Sequence, residues 1–108
     1  MRVLFDQGTP LALRRALAGH TVKTAREQGW SALGNGQLLS AAEAAGFDVL
    51  LTTDTNIPYQ QNLKNRKISV VIIGRNKWRL VRSRIQQIAA AVNGAKPGIC
   101  TVVEIPSQ

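Results

Sequence analysis

The sequence predicts an α/β fold, a three-layer α/β/α sandwich around a mainly parallel five-stranded sheet, in a single domain over residues 1–108. Three observations predict it. Two runs, Asp48 to Thr53 (DVLLTT) and Ile68 to Ile73 (ISVVII), are apolar without the alternation of a half-solvated strand, as strands buried on both faces of a parallel sheet are. Segments with helical spacing of apolar residues alternate with the strand-like runs along the chain. A length of 108 residues leaves room for one core, so the parallel neighbours must be joined by crossovers within it, expected to be right-handed.

Arg2 to Phe5 is an apolar run of strand type that ends at Asp6 and turns through Gln7-Gly8-Thr9-Pro10. Thr9 suits an N-cap and Pro10 a first helical position. A helix is therefore predicted from Pro10 to about Ala18, with Leu13, Ala16 and Leu17 inward, stopped at Gly19. His20 to Thr24 reads as a second strand and Thr24 to Trp30 as a turn or loose helical segment. Asn35 is expected to cap a helix from about Gly36 to Ala45, in which Leu38, Leu39, Ala42 and Ala45 share a face and Gly46 is the stop. The third strand, Asp48 to Thr53, delivers Asp54 at its end. After an irregular or helical segment (TNIPYQQNL), Ile68 to Ile73 forms the fourth strand. Trp78, Val81, Ile85, Ile88 and Val92 recur at helical spacing, predicting one amphipathic helix over residues 77–93 closed by Asn93-Gly94. Ile99 to Ile105 completes the sheet as an edge strand.

Composition removes several classes of function. Hydrophobic residues at 44% and charged residues at 19% are globular proportions. A spanning helix needs about 20 consecutive apolar residues, and the longest uncharged apolar stretches fall well short of that, so no membrane partner is expected. The opening MRVLFDQG meets Asp6 before a signal-peptide core can form, which predicts a cytoplasmic location. One cysteine (Cys100) and one histidine (His20) cannot build a thiolate and imidazole zinc site, so a metal has to be held by oxygen. The segment GWSALGNG lacks the Lys and Ser/Thr of a phosphate-binding P-loop. Cys100 reads as a small buried hydrophobe and His20 as a structural group. Trp30 and Trp78 read as core or loop anchors, and Tyr59 either stacks on a base or seals its loop.

Charge is distributed unevenly. Residues 1–54 carry five bases and five acids, whereas residues 55–108 carry nine bases against Glu104 alone, so the whole +8 lies in the second half. Lys64, Arg66, Lys67, Arg75, Lys77, Arg79, Arg82 and Arg84 fall in one stretch, which favours a polyanion such as RNA, or an acidic protein, over a merely solvated face. The first seven of these are the nucleic-acid-binding candidates.

In open parallel sheets, sites form beyond the carboxyl ends of the strands, and here two such ends carry aspartates, Asp6 and Asp54. If the first and third strands are neighbours, their ends lie about 5 Å apart, close enough for two carboxylates to share a hard divalent cation. Asn35 and Gln37, at the start of a helix opening on the same edge, could complete an oxygen-rich cluster. The alternative is that both aspartates merely cap loops.

The strand ending in Asp6 with Pro10 after it, Asn35-Gly36-Gln37-Leu38-Leu39, and Thr52-Thr53-Asp54-Thr55-Asn56 followed by Pro58-Tyr59-Gln60-Gln61-Asn62-Leu63 form a frame over residues 1–73. This frame resembles the small PIN-like proteins, compact bacterial relatives of the PIN nuclease domain, and is similar to toxins of type II toxin and antitoxin pairs. The resemblance implies an α/β/α sandwich and an endoribonuclease dependent on Mg²⁺ or Mn²⁺. It also implies Asp6 and Asp54 as catalytic metal ligands, with Gln7, Asn35, Gln37 and Asn56 supporting, and a small antitoxin protein as partner. A homodimer is compatible with the apolar helix faces. In the family pattern the residue after the first aspartate and the second residue after the asparagine are commonly glutamates; here both are amides, Gln7 and Gln37. An amide oxygen ligates a hard cation without adding charge, so one weakly held ion is expected rather than two. A non-catalytic PIN-like module that binds nucleic acid or a partner is the alternative. A phosphoacceptor receiver-like domain is a weaker one, because the expected lysine after a later strand is not evident.

Overall fold

The computed structural model describes residues 1–106; the last two residues of the predicted domain lie outside the described residues. Five strands form one sheet: β1 (Arg2–Phe5), β2 (Thr21–Thr24), β3 (Val49–Thr52), β4 (Ser69–Ile72) and β5 (Cys100–Val102). Their order is β2-β1-β3-β4-β5. Every pairing is parallel, so the sheet is wholly rather than mainly parallel. The chain enters at β1, steps outward to β2, then returns across β1 to build the other half. The strand order reverses between β1 and β3, the place at which open parallel sheets put their sites.

Because successive strand residues face opposite sides, each strand serves two cores. Val3, Phe5, Val49, Leu51 and Val71 meet Leu13, Leu17, Val81, Ile88 and Val92 on one side of the sheet. Leu4, Leu50, Val70 and Ile72 meet Leu38, Leu39, Ala42, Ile57 and Leu63 on the other. All four residues of β3 and of β4 are buried, in keeping with sequences that are apolar except for Thr52 and Ser69. Each fully buried leucine or valine contributes about 1.5–3 kcal/mol relative to exposure. The second layer holds α1 (Asn35–Ala44) and α2 (Ile57–Gln60), and the opposite layer holds α3 (Trp78–Val81) and α4 (Ile85–Asn93) with two 3₁₀ segments.

Three expectations are corrected in detail. The helix predicted from Pro10 is a 3₁₀ segment, Leu11–Leu17, and Thr9 does not cap it. The Thr9 hydroxyl instead donates to the Leu51 carbonyl at 2.9 Å and ties the loop after β1 to β3. The amphipathic helix over residues 77–93 is interrupted by a 3₁₀ turn at Arg82–Arg84. There the Ser83 hydroxyl donates to the Leu80 carbonyl at 2.7 Å, a local bond that competes with regular helix. Helix α1 begins at Asn35, with Gly34 rather than Asn35 in the cap position, which leaves the Asn35 side chain free for other work. Among the described residues no helix is long and apolar enough to cross a membrane.

Candidate functional site

Phe5 lies opposite Leu51 in the β1/β3 pairing, and the Asp6 N–H continues the ladder by donating to the Leu51 carbonyl at 3.0 Å. Asp6 therefore leaves β1 beside Thr52, the last residue of β3, and Asp54 follows two residues later on the same edge. The predicted adjacency of these two strand ends is observed. Both aspartates are half-buried.

Each carboxylate oxygen accepts one hydrogen bond. Asp6 Oδ1 takes the Gln7 N–H at 2.7 Å and Oδ2 the Thr52 hydroxyl at 2.8 Å. Asp54 Oδ1 takes the Asn56 N–H at 2.8 Å and Oδ2 the Asn35 amide at 2.8 Å. The same Asn35 nitrogen donates to Gln60 Oε1 at 3.2 Å, which orients its carbonyl oxygen as the remaining acceptor of that side chain. A carboxylate has about four lone-pair positions, so the pair keeps capacity for a hard cation after these bonds are made.

Of the supporting residues expected from the sequence, Asn35 reaches the site by its side chain, while Gln7 and Asn56 reach the carboxylates by their backbone N–H groups. Gln37 does something else: its amide oxygen accepts the Gly34 N–H at 3.4 Å, across the first turn of α1. Sequence reasoning assigned no role to Thr52, which is wholly buried. Its hydroxyl donates to Asp6 and accepts the Asp54 N–H at 3.0 Å, linking the two acidic positions. The available signal was a hydroxyl residue inside an otherwise apolar buried strand. Gly8 packs closely nearby: a Cβ there would stand 2.7 Å from the Thr53 hydroxyl, so one of the two would have to shift.

Two clefts flank the pair. One, of about 280 Å³, is lined by Asp6, Gln7, Thr9, Leu11, Thr24 and Arg26. The other, of about 360 Å³, is lined by Thr53, Gly74, Arg75, Asn76, Lys77 and Leu80. A larger cleft, about 600 Å³ between α2 and β5, includes Tyr59, Leu63 and Cys100 but no carboxylate. Tyr59 is 87% exposed. Burial pushes the Cys100 thiol above its ordinary value, which lowers its reactivity. His20 bonds the terminal amine and Asn93, and Trp30 packs edge-on against Phe47, both structural arrangements.

The basic stretch does not form one surface. Arg75 and Lys77 follow β4 and stand at the same edge as the aspartates. Lys64, Arg66 and Lys67 precede β4 and stand at the opposite edge, one strand length of about 13 Å away. Arg66 is moreover paired with Glu43, whose second oxygen takes the Lys67 N–H at 2.6 Å. Arg79 and Arg82 are exposed on α3 and the 3₁₀ turn after it.

Fold and geometry together define an open, wholly parallel α/β protein with two carboxylates beyond the strand ends where the strand order reverses. No protein-family model matches the chain, and comparison with curated proteins and with solved structures gives no match.

Proposed function

We propose that the protein is a PIN-like ribonuclease that uses Mg²⁺ or Mn²⁺ held between Asp6 and Asp54, with the role of a toxin restrained by a small antitoxin as its biological setting. The observation that carries this reading is the pair of carboxylates on adjacent strand ends, each oxygen braced by one hydrogen bond from the protein. The donor set fits a hard cation, being two carboxylates and the Asn35 amide oxygen with no sulfur or imidazole among them. When bound, such an ion supplies positive charge to a phosphodiester under attack and lowers the pKa of water. Thr52 and Asn35 hold the two carboxylates in place, and Arg75 and Lys77 attract the phosphate backbone.

A second reading, a binding module without turnover, is favoured by the neutral Gln7 where a third acid would stand. Among the described residues no group of three or more His, Cys, Asp or Glu side chains converges on a metal position. Cleavage of a fluorescent RNA in Mn²⁺ or EDTA separates the two. The nuclease reading expects slow, EDTA-sensitive cleavage that Asp54→Asn abolishes and Gln7→Glu raises by an order of magnitude or more, on the scale that metal and general-base effects reach. Absence of cleavage by both the wild type and Gln7→Glu overturns it in favour of the binding module. The toxin role predicts an adjacent reading frame encoding a short antitoxin-like protein.

A further inference from the structure

We propose that a single RNA strand crosses the carboxyl edge of the sheet from Arg26 to Arg75 and Lys77, over the Asp6–Asp54 pair, so that Arg26 is a phosphate-binding residue of the site. The inference rests on the RNA reading above and adds a path and a residue to it. Arg26 lies two residues beyond β2 and, despite belonging to the charge-neutral half of the sequence, lines the same cleft as Asp6. Arg75 and Lys77 line the matching cleft on the far side, next to Thr53. Strand order fixes the sequence of groups along the edge: Arg26 after β2, Asp6 after β1, Asp54 after β3, then Arg75 and Lys77 after β4. Positive charge thus brackets the acidic pair on both sides.

The cations are free to bind. Arg26, Arg75 and Lys77 are exposed and form no side-chain hydrogen bond or ion pair with any described residue. Glu27, beside Arg26 in the chain, is engaged by Arg14 at 2.7 Å and by the Thr24 N–H at 2.8 Å. Three interstrand spacings separate the ends of β2 and β4, about 14 Å, which about four stacked nucleotides span at roughly 3.4 Å each. Phosphates held at both ends would carry the intervening backbone over the carboxylates, where their repulsion is offset by the flanking cations. Leu11, 62% exposed in the Arg26 cleft, offers an apolar surface to a base.

The test measures binding rather than turnover. A labelled oligouridylate of about eight nucleotides is titrated in EDTA by anisotropy between about 50 and 200 mM salt. The expected result is that Arg26→Ala weakens binding several-fold and makes the slope of log K against log salt shallower by about 0.7, and that Arg75→Ala with Lys77→Ala makes it shallower by about 1.4. Arg26→Lys keeps the slope. Lys64→Ala with Lys96→Ala, removing two charges at the other edge, leaves the slope unchanged. An unchanged slope in Arg26→Ala overturns the path, even if the wild type cleaves RNA. So does an equal loss in the Lys64 and Lys96 variant, which would show that only total charge matters. Failure of the wild type to bind overturns path and RNA reading together, whereas the expected slopes without cleavage in Mn²⁺ sustain the path and remove only the nuclease.

Discussion

At the scale of single residues, one hydroxyl links the two acidic positions. Thr52 donates to Asp6 and accepts from the Asp54 backbone while wholly buried, so Thr52→Val keeps the shape and removes both bonds. The half-buried Asp54 N–H and an Asp6 carboxylate oxygen then lose their partner. The expected cost is about 1–3 kcal/mol, read as a lower midpoint in urea. Thr52→Ser, which retains the hydroxyl, recovers most of that loss if the bonds rather than the methyl are responsible. The positions of Asp6 and Asp54 at strand ends were legible in the sequence because an acid closing an apolar run is a recognisable pattern. Thr52 was not, because its role depends on β3 lying next to β1, which no local pattern encodes.

At the scale of elements, α1 is fastened at both ends, to the site by Asn35 and to the entrance of β4 by Glu43. Burial disfavours the charge on Glu43, but the Lys67 N–H, the Arg66 guanidinium and the Ile68 N–H outweigh it and hold the carboxyl below its ordinary value. Glu27 is lowered as well, first by the Thr24 N–H and then, against the opposing effect of burial, by Arg14 and the Thr24 hydroxyl. A lowered folded-state pKa means that the unfolded chain binds more protons in this range, so stability rises with pH through it. The contribution is fully present above the unfolded value of about 4.3 and is lost as pH falls through the lowered folded value. Glu43→Gln is therefore expected to be less stable than the wild type at neutral pH and to lose less stability on acidification below about pH 4.3, as measured by denaturant midpoints across pH. An identical pH profile for the two proteins would mean that this fastening contributes nothing. The helices themselves were less legible than the strands. Their apolar spacing is kept in outline, but Ala45, expected on the buried face of α1, is exposed beyond its last turn, Leu11–Leu17 is 3₁₀, and the later helix breaks at Arg82–Arg84, where the Ser83 hydroxyl bonds the Leu80 carbonyl.

At the scale of the whole molecule, net charge sets stability against the proposed RNA binding. The chain carries +8 within a radius of gyration of 12.5 Å. The screening length is about 30 Å at 0.01 M salt and about 10 Å at 0.1 M, so self-repulsion acts across the entire molecule in the first case and is largely damped in the second. Raising salt between these values is expected to increase the thermal midpoint while weakening the proposed RNA binding, and melting curves paired with binding isotherms check the opposition. A midpoint that falls with salt would show that local ion pairs such as Arg14–Glu27 outweigh the net repulsion. The sequence by itself determined the layers: apolar runs buried on both faces cannot be satisfied except between two helical layers, and two acids after such runs must emerge at one edge of a parallel sheet. Only the tertiary structure decided which charges share that edge. Lys64 and Arg75, close in sequence, stand at opposite ends of β4, while Arg26 and Arg75, 49 positions apart, flank the same pair of aspartates. A strand carries the chain from one edge of the sheet to the other, so charges that cluster in sequence on either side of it separate in space, and strand order brings together those that the sequence keeps apart.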